Sequence, residues 1–206
     1  MQQRSQETRQ RILTAAGQLF SHTGYDATGV AQICATAGIS KGAFYHHFPT
    51  KQAVFLALLN DWLADVDRQM QAIMSTSGSV PDGLINTAAS TAPIFDASNG
   101  QLPMFLEFWS QARHDPAVWQ ATIEPYRRYQ QIFAALFRRG VEEGSFLPLN
   151  PDMAALTLVS LAVGLFLQGV LDPDGGQWSN AMRQGVTWLL NGMVNPIKFS
   201  SERREL

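Results

Sequence analysis

One cysteine, Cys34, is all that this chain of 206 residues contains. That excludes an intrachain disulfide and any metal cluster built on several thiolates, and it fits a reducing cytoplasm. Charge is sparse too: Asp, Glu, Lys and Arg make up 16% of the chain, and the net charge is −2. Bulk charge therefore announces no polyanionic partner. No run alternates apolar and polar residues with period two, which argues against sheet. Nucleophile elbow, phosphate-binding loop and paired-histidine zinc motif are all missing, so no enzyme, cofactor or metal is expected. The opening residues MQQRSQETRQRIL are polar and lack the apolar stretch of a secretion signal.

What charge there is lies unevenly. Residues 1–51 carry Arg4, Arg9, Arg11, Lys41 and Lys51 against Glu7 and Asp26, a net of +3, whereas the rest carries ten basic against fifteen acidic residues. A small basic head on a larger acidic body suits a head that meets a polyanion. One uncharged stretch, MAALTLVSLAVGLFLQGVL at 153–171, approaches the length of a membrane span. Thr157, Ser160 and Gln168 interrupt it, its flanks are Asp152, Asp172 and Asp174, and no Lys or Arg anchors it. It reads as a helix buried in protein, and no membrane partner is expected.

Helical periodicity runs through the sequence. Ser5 is a candidate N-cap for a first helix whose stripe is Ile12, Ala15, Ala16, Leu19 and Phe20, and Gly24 stops it. Thr28 is placed to cap a second helix with Val30, Ile33, Cys34 and Ala37 on its buried face, ended by Gly38. Ser40 caps a third, which must stop before Pro49 and is therefore about seven residues, roughly 10 Å, long. So short a helix cannot stand alone, and Ile39, Phe44 and Phe48 must pin it. Two short helices joined through a glycine, the second showing small and polar residues, make a helix-turn-helix. Its second helix suits the DNA major groove, ~12 Å wide. Gly42 costs about 1 kcal/mol of helix stability but lets backbone approach a duplex. His46 and His47 diverge by about 100° on a helix and do not face one ion together.

The residues TGVAQICATAGISKGAFYHHFPTKQAVFLALL, with ETRQRILTAAGQLFSHTGYDATGV leading into them, closely resemble the DNA-binding signature of TetR/AcrR-type bacterial transcriptional regulators. The resemblance covers about residues 5–63. It implies that Thr28, Gln32, Ser40, Lys41, Gly42, Ala43, Tyr45, His46, His47 and Lys51 lie where family members touch DNA. Gly29 and Ala31 depart from the pattern, at positions where a hydroxyl and a longer polar side chain are frequent, so the second helix is expected to read less sequence. The expected domains are a head at 1–50 and an effector-binding and dimerisation body at 51–206, with a fourth helix at about 51–74 linking them.

Nine helices in an all-α fold are expected, the later ones at about 83–96, 101–113, 116–143, 151–172 and 177–194. The eighth is apolar all round and must be covered on more than one side. Pairing with a second copy is the simplest cover, through Ser160, Gly164 and Gln168, with Met182, Val186, Leu189 and Met193 of the ninth helix. Met70, Met104, Phe105, Phe108, Trp109, Tyr126, Tyr129 and Phe133 form an aromatic and Met-rich zone. Most of it reads as core, but two hydroxyls, with Glu107 and Arg113 nearby in sequence, also fit a small-molecule site. The resemblance implies that such a site holds an inducer, giving a homodimeric, cytoplasmic repressor released from a palindromic operator by a small apolar or aromatic effector. A regulator without an inducer, or an activator, is the alternative.

Overall fold

The computed structural model describes the backbone of residues 2–95 and 101–194, and the side chains of 4–95, 106, 107 and 109–194. The expected effector residues Met104, Phe105 and Phe108 lie outside the described side chains. Among the described residues there are nine α-helices and no strand: α1 Gln2–Thr23, α2 Val30–Ala37, α3 Lys41–His47, α4 Lys51–Thr76, α5 Val80–Ser90, α6 Gln101–Ala112, α7 Pro116–Glu142, α8 Pro151–Leu171 and α9 Trp178–Asn191. A single 3-10 turn, Ala92–Phe95, follows α5.

Two compact units emerge, one comprising Met1–Asp65 and Ala97–Thr122, the other Val66–Asp96 and Ile123–Leu206. The first holds α1 to α3 with α6. Ile12, Leu13, Ala16, Phe20, Ile33, Phe44, Val54 and Phe55 are buried to 1% exposure or less. Phe20, Tyr25 and Phe55 close into an aromatic triangle with ring centroids 4.6 to 5.7 Å apart. The seven-residue α3 rides on this core through Phe44 and Phe48.

In the second unit Val80, Leu84, Phe137, Phe146, Ala155, Met182, Val186 and Leu190 form the centre of one cluster drawn from α5, α7, the loop after α7, α8 and α9. Two close approaches shape it. Phe146 packs against the backbone at Gly140, where a Cβ would come within 2.3 Å of its ring. The Leu147 N–H donates to the Met193 carbonyl at 2.7 Å, tying the loop after α7 to the end of α9.

Helix starts differ from expectation in three places, the first being α5, expected at about 83–96 but running Val80–Ser90 behind an N-cap at Ser79. Ser5 lies inside α1, which begins at Gln2. Thr28 does not cap α2: Gly29 does, and the Gln32 amide oxygen accepts the Gly29 N–H at 2.7 Å. Ser40 caps α3 as its sequence suggests, its Oγ accepting from the Ala43 N–H at 3.1 Å.

Candidate nucleic-acid interface

The surface of α3 follows from its burial pattern. Phe44 takes the core side, and Ser40, Lys41, Gly42, Tyr45 and His46 are exposed, with Ala43 and His47 half-covered. Tyr45 is 54% exposed although aromatic, braced edge-on against Phe44 at 5.3 Å. His46 and His47 sit edge to face with centroids 5.1 Å apart. A Cβ added at Gly42 would meet only the Ser40 Oγ at 3.8 Å, so this glycine answers no steric need inside the chain. Eight of the ten expected DNA contacts, Gln32, Ser40, Lys41, Gly42, Ala43, Tyr45, His46 and His47, thus belong to the outer part of the α2–α3 motif. The chemistry on offer is an ammonium, two imidazoles, a phenol, an amide and a hydroxyl around a residue without a side chain.

Two expected contacts face the other way. Thr28 is 1% exposed and spends its hydroxyl on the Gly24 carbonyl at 2.7 Å, so its side chain is frame and not surface. Lys51 donates from Nζ to the Tyr25 carbonyl at 2.7 Å and to the Thr28 carbonyl at 2.9 Å, with the ammonium 4.1 Å from the Tyr25 ring centroid. Burial pushes the Lys51 ammonium below its ordinary pKa, with Asp26 and Glu107 opposing the shift. Tyr25 moves up, through burial first and then the negative charges of Asp115 and Asp26.

Several residues that hold the motif escaped sequence reasoning. Arg11 donates from Nη2 to the carbonyls of Ala37 and Gly38, the latter at 2.8 Å, and so caps the end of α2 at the left-handed Gly38. The Tyr25 N–H donates to Glu107 Oε1 on α6 at 2.9 Å, which takes Glu107 away from its expected place beside an effector. Gln52 donates to Asp115 at 2.6 Å. Glycines at 24 and 38 mark the turns, but nothing local names partners from 26 to 82 residues away.

Residues 12–58 match the bacterial regulatory proteins of the tetR family, and residues 93–191 match the C-terminal domain of BetI-type transcriptional repressors. The chain belongs to the TetR family. Members of this family are transcriptional regulators that bind DNA, not enzymes. Among its relatives, the HTH-type transcriptional regulator UidR of Escherichia coli is 26% identical over 94% of this chain and 96% of its own. The HTH-type transcriptional repressor KstR2 of Mycolicibacterium smegmatis is 26% identical over 70% of this chain and 71% of its own. A transcriptional regulator from Saccharomonospora viridis, solved in complex with choline, is 25% identical and superposes with a TM-score of 0.81 over 92% of this chain and 99% of that one. A TetR-family regulator from Mesorhizobium loti shares the fold at a TM-score of 0.76, 21% identical over 93% of this chain and 99% of its own.

The remaining expected residues of this TetR-family chain divide as follows. On α8, Ser160 and Gln168 are exposed, and among the described residues nothing beyond its chain neighbours and its own helix backbone lies within 4 Å of a Cβ at Gly164. Met153 (56% exposed), Leu156, Ser160, Gly164, Gln168 and Leu171 (71%) share one stripe opposite the core side formed by Ala154, Ala155, Leu158 and Val159. On α9, Met182 and Val186 are buried at 1% and 2% within their own unit, which corrects their expected place on a dimer face. Leu189 and Met193 also pack partly against that core. Trp188, 71% exposed, is the residue that sequence periodicity overlooked.

Of the expected effector residues in the second unit, Met70 is buried and Phe133 packs on the core, while Tyr126 is half-buried. The Tyr129 hydroxyl donates to Asp67 Oδ1 at 2.8 Å, and Arg128 donates to both oxygens of Asp67 at 3.0 and 2.7 Å. The Arg128 guanidinium lies 5.2 Å from the Tyr129 ring centroid. Burial first, and then the Asp67 carboxylate, push the Tyr129 phenol well above its ordinary value. In the first unit Trp109 is 37% exposed.

Proposed function

We propose that the protein is a cytoplasmic homodimeric repressor that grips a palindromic operator through two copies of α3 and lets go when a small effector binds its body. One observation carries the DNA contact. The outward face of α3 is made of Ser40, Lys41, Gly42, Tyr45 and His46, while the apolar residues that secure it face inward. Such a helix has the width of a major groove and donors for phosphate and base edges. The eight outward residues named above form the contact set, and Thr28 and Lys51 hold it in place.

Dimerisation is assigned to α8 and α9. The α8 helix has a mean hydropathy of 2.1 over its most apolar window, yet only 28% of that window is buried in the protomer. A second copy related by two-fold symmetry covers the stripe from Met153 to Leu171. Two recognition helices so joined read inverted half-sites.

For the effector, Met70, Tyr126, Tyr129 and Phe133 of the second unit supply apolar and aromatic surface. Support for organic cations among the candidates comes from Arg128, a cation already resting on an aromatic ring beside a carboxylate. The similar choline-bound regulator points in the same direction. Effector release requires tighter binding to the DNA-free form, with a coupling of about 1–3 kcal/mol.

Selection of duplexes from a randomised pool tests the first half: an inverted repeat should be enriched, and enrichment of no sequence, or only of asymmetric ones, overturns the operator reading. Apolar, aromatic and quaternary ammonium compounds are then screened for release of the selected duplex. If none both raises the melting temperature and releases DNA, the regulator works without an inducer.

A further inference from the structure

Between α1 and α2 the chain turns through residues 24–28, and groups on α4 and α6, outside the three-helix head, hold this turn. From the start of α4, Lys51 Nζ donates to the carbonyls of Tyr25 and Thr28. From α6, Glu107 Oε1 accepts the Tyr25 N–H at 2.9 Å, and Gln111 Nε2 donates to Asp26 Oδ2 at 3.2 Å and to Glu107 Oε1 at 3.4 Å. Helix α1 also packs against α6. The backbone of Tyr25 is therefore gripped at both of its polar groups, by a carboxylate on one side and an ammonium on the other.

This turn leads straight into the recognition machinery. Three residues after Tyr25 comes the buried Thr28, then the cap of α2 at Gly29. After α2 comes the tight Gly38 turn, whose Gly38 and Ile39 N–H groups return to Ala35 and Cys34. Nothing in this path is slack, since α2 has eight residues and α3 seven. We infer that Glu107 is a positioning residue for operator binding: through the Tyr25 amide, it makes the placement of α6 part of the placement of α3. The inference rests on the DNA-binding reading above and adds to it a residue outside the helix-turn-helix. Charge alone predicts the opposite of positioning. A carboxylate in a DNA-binding unit repels phosphate, so removing it for charge reasons tightens binding, whereas losing its hold on Tyr25 weakens it.

Two variants of the full-length protein separate these effects. Glu107→Asp keeps the charge but withdraws the carboxylate by one methylene from the Tyr25 N–H. Glu107→Gln drops the charge but keeps an oxygen that accepts. Binding is measured to the duplex selected by the wild-type protein and to an unrelated duplex of equal length. The expected result is that E107D binds the selected duplex on the order of tenfold more weakly, within the usual range for coupling between two sites. Its affinity for the unrelated duplex stays unchanged, and E107Q stays near or above wild type on both. The reverse pattern, with E107Q altered and E107D normal, overturns the inference. If selection enriches no duplex, the DNA reading has failed, and hydrogen exchange in the free protein decides: E107D must speed exchange at Ile33 and Phe44 as well as at Tyr25, and E107Q must not. Exchange altered at Tyr25 alone overturns the inference, and so does an E107D variant that no longer melts cooperatively, because Glu107 is then a folding residue.

Discussion

Lys51 clasps Tyr25 twice, with its ammonium 2.7 Å from that residue's carbonyl oxygen and 4.1 Å from its ring centroid. A lysine at the start of α4 thus locks the loop that enters the helix-turn-helix. Replacing it with methionine keeps the stem and deletes both charge-assisted hydrogen bonds, each typically worth about 1.5–3 kcal/mol. Chemical denaturation should show K51M less stable by an amount of that order. The slope of log affinity against log salt should change by less than the ~0.9 expected for one phosphate contact. An unchanged midpoint together with a slope lowered by a full contact would return Lys51 to the DNA backbone.

Gly42 offers the opposite case. Its Cβ position is open, with only the Ser40 Oγ at 3.8 Å, so Gly42→Leu adds helix propensity without a clash and should leave stability level or about 1 kcal/mol higher. Operator affinity should nevertheless collapse, because the new side chain fills groove space. A gel-shift titration showing wild-type affinity would mean that α3 stays outside the groove.

A glutamate at Gly164 tests the α8 stripe. Among the described residues, nothing beyond its chain neighbours and its own helix backbone lies within 4 Å of that position's Cβ, so the protomer should fold normally. Across a two-fold seam the same glutamate is an unpaired buried charge beside its own copy, a cost of several kcal/mol. Analytical ultracentrifugation should find monomers, with operator binding lost alongside. A dimer of normal strength would remove α8 from the interface.

Tyr129 gives a pH test of the Asp67 cluster. Its phenol is held neutral by burial and by Asp67, so its folded pKa lies above the ordinary value of about 10. The stability this contributes is fully present below pH ~10 and is lost as pH rises beyond it, because the unfolded chain ionises while the folded one resists. The difference in stability between wild type and Tyr129→Phe should therefore be constant from pH 7 to about 9 and shrink above about 10. A difference that stays flat to pH 11 would mean that the phenol ionises freely in the folded chain.

The helix-turn-helix was legible because its boundaries are chemical: Gly38 takes a left-handed turn at φ 62°, Ser40 caps, and Pro49 stops α3. The start of α1 was misread at Ser5 because a serine caps only where helix has not already begun, and Gln2–Arg4 continue it without a break. Thr28 looked like a cap for the same local reason, yet its hydroxyl found the Gly24 carbonyl, and Gln32 supplied the cap's partner. Periodicity marked Met182 and Val186 as apolar, and a period cannot distinguish a protomer's own core from a partner's. The ties of Glu107 to Tyr25 and of Tyr129 to Asp67 cross 82 and 62 residues, and no local pattern encodes such pairs.

The uncovered ridge of α8 also bears on how much of the protein a cell must hold. Met153, Leu156 and Leu171 present oily surface on a lone protomer, which invites indiscriminate sticking when its twin is scarce. The α8 pairing proposed above would cover that surface by mass action, so melting temperature should climb as the sample is concentrated. Scarcity then weakens the molecule twice, by splitting its two hands apart and by leaving each one adhesive.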